Sequence, residues 1–273
     1  MNHTKKLAIS IPFSLMAFLL LALVSQNVQA YSFTADFKKG FYWRAFPIKM
    51  SKFAAVASDA ATLERLVNES VEEWESVVGK DIWEISGVQN TSNYSGNYIR
   101  WSDNFGAETG YDPSRTLAIT IRYNQGTFFE QTVIILNGGI SYLRQNWGNS
   151  LKTTILHEIG HTLGLDHSGD SQAVMAATLG AATALQSDDI QGVNAVVDEN
   201  IRRQSSGYVS PFAVQESGSK VAACGTIEDI SSGGSGGGHA AANFFGSLII
   251  GLMMIIAAKK LNKREMKKVF VRY

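Results

Sequence analysis

An α/β fold, in the α+β sense of a mixed sheet with a few helices packed on it, is predicted by three features of the sequence. The stretch Ser58–Val78 carries apolar residues at three- and four-residue spacing, the signature of an amphipathic helix. Short runs rich in β-branched and aromatic residues flank it at Phe41–Met50, Asp81–Ile85, Tyr98–Trp101, Leu117–Tyr123 and Thr132–Leu136. Two more helical segments, about Asn149–Leu163 and Ser187–Val197, follow the strands. Strand, helix, strands and two closing helices make an α/β sandwich with a mixed sheet, in one domain from 31 to 200.

Taken in chain order, the N-terminus opens with Lys5 and Lys6, an apolar run from Leu7 to Val24, and the small-residue pattern Val28-Gln29-Ala30. That is a secretory signal peptide over 1–30 with cleavage after Ala30; the alternative is an uncleaved anchor. Phe41–Met50 is aromatic-rich and reads as a strand. In the helix that follows, Leu63, Leu66, Val67, Val71, Trp74, Val77 and Val78 form one stripe, with Ser58 or Asp59 to cap its start and Gly79 to end it. Asp81–Ile85 alternates polar and apolar residues as a half-buried strand does.

After Asn200 the composition shifts to Ser, Gly and other small residues, so 201–239 reads as a flexible Gly/Ser-rich linker. Residues 240–258 are apolar enough and long enough to cross a bilayer as a helix. Residues 259–273 form a basic tail, with Lys259, Lys260, Lys263, Arg264, Lys267, Lys268 and Arg272, of the kind that holds a chain end on the cytoplasmic side. With 24 basic and 24 acidic side chains the chain has no electrostatic footprint for nucleic acid. Its single cysteine, Cys224, allows no intrachain disulfide.

The chemistry sits in His157-Glu158-Ile159-Gly160-His161. On a helix, residues four apart share a face, so both imidazoles can reach one metal ion, while Glu158 can hold a water there and take its proton. Gly164 marks the helix exit, where a left-handed residue is needed. The turn beyond it brings His167 round as a third nitrogen ligand. Three protein ligands leave the fourth tetrahedral position of a single Zn2+ ion open, as a catalytic zinc requires.

The extended motif from His157 to His167 resembles the metzincin proteases, and within them the matrixins. The closer likeness rests on Ser168 after the third histidine, on Met175 in Ala173-Val174-Met175-Ala176 where a structural Met-turn would pass beneath the metal, and on Leu185-Gln-Ser-Asp-Asp-Ile-Gln-Gly192. The resemblance implies a metzincin-like catalytic domain: a twisted mixed sheet with one antiparallel edge strand, a long active-site helix and a C-terminal helix. It assigns the edge strand to Thr132–Leu136 with Asn137-Gly138-Gly139, and implies that Asp188 or Asp189 ties the last helix to the Met-turn. Peptide or protein substrates would add a strand to that edge. Calcium is a candidate second ion, with Asp103, Glu108 and Asp112 as candidate ligands. No cysteine precedes the domain, so the propeptide cysteine latch of animal matrixins is not expected. The Gly/Ser stretch, apolar span and basic cluster look like a GlyGly-CTERM sorting signal, which implies a sorting protease and delivery to the surface or medium; a permanent anchor is the alternative. The expected activity is endopeptidase hydrolysis, and the rival is a surface adhesion or binding module on the same fold.

Overall fold

The computed structural model describes residues 30–54, 56–213 and 220–228. The signal-like segment, the Gly-rich run at 231–238, the apolar span at 240–258 and the basic tail lie outside the described residues. Among the described residues no helix is long and apolar enough to cross a membrane. The chain divides after Ala30, and Tyr31 begins the unit that carries the fold.

The elements run β1 (Ser32–Phe33), α1 (Ala35–Lys38), β2 (Tyr42–Trp43), β3 (Ile48–Phe53), α2 (Ala57–Val78), β4 (Trp83–Gln89), β5 (Asn97–Ser102), α3 (Phe105–Thr109), β6 (Thr116–Gln125), β7 (Phe128–Asn137), α4 (Ser141–Arg144), a 3-10 turn at Trp147–Asn149, α5 (Ser150–Leu163), β8 (Leu165–Asp166), α6 (Ser187–Ser206) and β9 (Lys220–Glu228). The main sheet has the order β4-β3-β5-β7-β6-β9, with β2 added to β7. β3 pairs parallel with β4 and β5, and β5 parallel with β7. β6 runs antiparallel to β7. β3, α2 and β4 thus form a βαβ crossover, the connection that parallel neighbours require.

Side chains alternate across the sheet as the strand period demands. Ile134 and Leu136 of β7 join the large core with α2, α5 and α6, whereas Val133 and Ile135 join a second cluster with Ile119 and Phe105 of α3. On β6, Thr120 and Arg122 take the face toward α5, where both bond to that helix. Leu63, Leu66, Val67, Val71 and Trp74 of the α2 stripe are buried and Val77 and Val78 are half-buried, and Gly79 ends the helix at φ 67°.

Four expectations are corrected. First, neither Ser58 nor Asp59 caps α2: the helix starts at Ala57 with no side-chain cap bond, and Asp59 instead pairs with Arg144 at 3.2 Å. Second, the last helix runs to Ser206, well beyond Val197. Its final turns are held by polar groups that periodicity does not mark: Arg203 donates to the carbonyls of Phe37 and Phe41, and Asn200 accepts from the Trp43 amide. Ordered contacts continue to Ser210, whose amide donates to Thr127 Oγ1. Third, Thr132–Leu136 is not the edge strand. It lies in β7, which is paired on both sides and buried from Thr132 to Asn137. The antiparallel strand is β6. Fourth, Lys220–Glu228 falls in the expected linker but forms β9, paired antiparallel to the outer side of β6. Composition undervalued it because an added strand is held by backbone pairing, which small residues do not prevent.

Candidate metal centre

α5 is a site-carrying helix buried nearly all round, with every residue except Lys152 out of solvent. Two indoles hold it from neighbouring elements: Trp74 of α2 donates to the Leu156 carbonyl, and Trp43 of β2 to that of Thr162, both at 2.8 Å. The helix stops at Gly164, whose φ of 106° is the left-handed conformation the motif calls for. A Cβ there would also lie 2.8 Å from the Phe37 ring, so both backbone and packing require glycine. The Gly164 carbonyl then accepts from the Thr34 amide, and β1 pairs with β8 on the way to His167.

The turn gathers the three histidines. One ligand nitrogen from each of His157, His161 and His167 lies within 4.8 Å of the others, and this is the one such metal-ligand cluster among the described residues. His157 Nδ1 lies 2.8 Å from the Val174 carbonyl and His161 Nδ1 2.7 Å from that of Leu165. Each Nδ1 therefore carries the proton, and each Nε2 turns a lone pair inward. The two Nε2 atoms stand 2.8 Å apart. Two neutral lone pairs facing at this distance call for a shared cation, and nitrogens at about 2.0–2.1 Å on a tetrahedral zinc would sit at about 3.3 Å. The donor set and its shape fit zinc. Burial pushes His157 down to about 3 and His161 well below its ordinary value, so both are neutral and free to ligate.

Glu158 has no exposed surface. Its Oε2 accepts from Thr120 Oγ1 at 2.5 Å, and its Oε1 is buried with no hydrogen-bond partner. Burial pushes its pKa well above the usual carboxylate range, against the Thr120 bond and the nearby Arg122 charge, which pull it down. A dication beside it would pull in the same direction as Arg122.

Beneath the helix, Met175 is buried, and a Cβ on Gly160 would lie 2.5 Å from its sulfur. The turn holding Met175 is fixed by Asp189, which accepts from the amides of Val174 and Met175, each at 2.9 Å, and from Gln186 at 2.8 Å. Burial raises Asp189 above its ordinary pKa, and these backbone donors offset part of that rise. Because Val174 also supplies the carbonyl that orients His157, the turn and the ligand are one unit. Its neighbour Asp188 accepts from Ser168 Oγ and from the Tyr31 amide.

Sequence reasoning missed Asp36, Thr120, Arg122 and Gly160. Arg122 makes a bidentate pair with Asp36, at 2.8 and 2.9 Å, and donates to the His161 carbonyl at 2.6 Å. Asp36 is pushed up by burial, but the Arg122 guanidinium holds it below its usual range. The one available signal was a lone arginine in an otherwise uncharged strand run; its partner lies 86 residues away. The candidate calcium ligands are not gathered. Asp103 pairs with Arg144, Glu108 pairs with Arg100, and Asp112 bonds Ser114. Cations and a hydroxyl already answer these carboxylates.

Comparison with known proteins places the same region. The matrixin family model matches residues 59–197, just over half of the chain. A protein of Spodoptera frugiperda ascovirus 1a described as "Putative matrix metalloproteinase" is 30% identical over 138 residues, 44% of this chain. The match spans 36% of that viral protein, about a third of its length. Among solved structures, an archaemetzincin from Methanopyrus kandleri aligns with a TM-score of 0.37 and 10% identity, covering 55% of this chain and 96% of that one.

Proposed function

Since the chain belongs to the matrixin family, we propose that it is a zinc-dependent endopeptidase with His157, His161 and His167 as ligands and Glu158 as general base. One observation carries this: three inward-facing imidazoles stand beside a buried carboxylate whose second oxygen has no partner. Zinc held there would acidify a water toward neutrality and polarise a peptide carbonyl. The residues of the chain do the rest. Thr120 holds one oxygen of Glu158, leaving Oε1 to take a proton from the attacking water and return it to the leaving amine. Arg122 and Asp36 fix the helix end that carries His161. The outer side of β6 takes an extended peptide as an added strand, a geometry supported by β9, which already runs there. The domain works outside the cytoplasm after cleavage behind Ala30. Support for that comes from Tyr31, whose nitrogen donates to Asp188; cleavage would turn this amide into an ammonium facing a carboxylate. The tail after residue 240 either anchors the domain or is cut by a sorting protease.

Metal analysis and peptide hydrolysis of the purified protein test this together. One zinc per chain and loss of cleavage on chelation are expected; full activity in metal-free protein would refute the reading. Mass spectrometry of the mature chain tests the processing: a first residue other than Tyr31 removes the ammonium argument, and intact residues 240–273 in soluble protein remove both fates of the tail.

A further inference from the structure

β9 follows the outer side of β6, the side on which the peptidase reading puts a substrate, and it also lies against α5. Its backbone register fixes which residue stands where. Lys220 to Cys224 oppose Asn124 to Thr120 one for one. Ile119, the next residue of β6, is then opposed by Thr226, so Gly225 is an extra residue in β9, a bulge. The bulge falls beside Thr120, whose hydroxyl bonds Glu158 Oε2. Adjacent strands lie about 4.8 Å apart, so the peptide groups on either side of Gly225 pass about one strand spacing from the backbone of the residue that holds the general base. A bulge takes its residue out of regular pairing, and bulges recur beside active sites, where they re-aim a group. The backbone released at Gly225 is beside a carboxylate whose other oxygen, Glu158 Oε1, is buried without a partner. Regular pairing on both sides of the bulge, from Lys220 to Cys224 and again at Thr226 and Glu228, holds the segment extended across that point.

We propose that the chain is a substrate of its own site: Lys220–Glu228 is seated on β6 for hydrolysis in cis, at one of the two peptide bonds of Gly225. This deepens the peptidase reading and rests on it. Water adds its hydroxyl to the carbonyl carbon of Cys224 or Gly225, its proton passes through Glu158 Oε1 to the leaving nitrogen, and the C–N bond breaks. A new carboxylate and a new amine are formed, with no co-reactant besides water. A segment of the same chain needs no diffusional encounter, so the cut is unimolecular. It leaves every element from β1 to α6 on one fragment. The Gly-rich run at 231–238, the apolar run at 240–258 and the basic tail go with the other. The chain thereby detaches its own folded domain from the segment that reads as a membrane span, and the cut falls upstream of the Gly-rich run where a sorting protease would act.

The test produces the full chain, wild type and Glu158→Ala, in the same cells and reads the C-terminus of each by intact mass, beside hydrolysis of an added peptide library. Wild type should end at Cys224 or Gly225. Glu158→Ala should keep residues 226–273 attached to the domain, since loss of the base slows the cut about 100- to 10,000-fold. Mixed with an equal amount of wild type at about 1 μM, near the bottom of the usual KM range, the Glu158→Ala chain should stay joined at Gly225. Equal cutting at Gly225 in wild type and Glu158→Ala overturns the proposal, because another protease then makes the cut. Cutting of Glu158→Ala at Gly225 by added wild type, as fast as wild type cuts itself, overturns hydrolysis in cis. A wild type that hydrolyses the added peptides but ends elsewhere than Gly225 overturns self-cleavage and leaves the peptidase reading standing. A wild type uncut at Gly225 and inert toward added peptides overturns both.

Discussion

The two long helices of the core, α2 and α5, do opposite kinds of work. α2 is amphipathic: Leu63, Leu66, Val67 and Trp74 are buried, while its other face carries exposed charge such as the Arg65–Glu69 pair. α5 has almost no outer face; only Lys152 reaches solvent. Trp74 joins the two, because its indole holds a carbonyl of α5 and its ring lies beside Gly160. α2 is thus a floor whose outer half tolerates change, and α5 is a shelf whose middle and last turns carry two ligands and the base. Substitutions on the outer face of α2 should alter stability alone, whereas those in and around α5 should alter chemistry and stability together.

The largest separation is expected in turnover. Glu158→Ala should retain zinc, since Glu158 is not a ligand, and lower kcat by about 100- to 10,000-fold, the usual share of a general base. His161→Ala should lose metal as well. Metal content measured beside hydrolysis checks both, and substantial turnover in Glu158→Ala would sink the mechanism.

Next is pH. His157 is held down to about 3 by burial and His161 is also lowered, so in metal-free protein their neutral forms are the ones the fold accepts. Above about 6.5 both states of each group are neutral and this contribution is constant. Below it the unfolded chain takes up protons that the folded chain refuses, so stability falls until about pH 3, for His157 by up to about 5 kcal/mol. Glu158, raised, works in the other direction: its contribution is present below about pH 4.5 and is lost as pH rises through its folded value. Thermal melts of metal-free protein from pH 8 to 4 should show the acid-side loss; a flat profile would mean the histidines are hydrated.

Ion pairs give a third contrast. Arg122 and Asp36 are 0% and 5% exposed, whereas Arg65 and Glu69 on α2 are 56% and 42% exposed. Arg122→Met strands a buried carboxylate and should cost about 3–5 kcal/mol. Arg65→Ala should cost about 0.5 kcal/mol or less. Denaturant midpoints compare the two, and equal shifts would erase the distinction between the helices' surroundings.

The same contrast explains what the sequence reveals. α2 is legible from period alone, because one face is apolar and the other is not. α5 has no such stripe, and it is legible only because metal chemistry demands histidines four apart with a glutamate between them. What supports α5 is hidden for another reason. Asp36, Thr120 and Arg122 come from three separate elements, and their pairing is set by tertiary approach. Misplacing the edge strand on Thr132–Leu136 has a similar cause: β6 and β7 are both rich in β-branched and aromatic residues, and only pairing shows that β7 lies between β5 and β6, and β6 between β7 and β9. β9 was hidden by small residues whose order comes from the backbone of β6.

Two glycine substitutions test the contrast at its smallest. Gly79 ends α2 at φ 67° with nothing within 4 Å of an added Cβ, so Gly79→Ala meets only backbone strain, about 1 kcal/mol. Gly160 lies within α5, where a Cβ would stand 2.5 Å from Met175 Sδ and 3.0 Å from Trp74 Cζ2. Overpacking there costs about 1–3 kcal/mol, and the better helix propensity of alanine returns up to about 1 kcal/mol. The two variants should therefore unfold at similar denaturant concentrations. They should differ at the metal. Trp74 is held by the Leu156 carbonyl, so Met175 is the side chain that yields, and its turn carries the Val174 carbonyl that orients His157. Gly160→Ala should weaken zinc binding by about 10- to 100-fold, the usual effect of disturbing a partner of a ligand. Gly79→Ala should leave zinc binding unchanged. Competition against a chelator of known affinity measures both, and equal zinc affinity in the two variants would show that Met175 fills space beneath the helix without fixing the ligand above it.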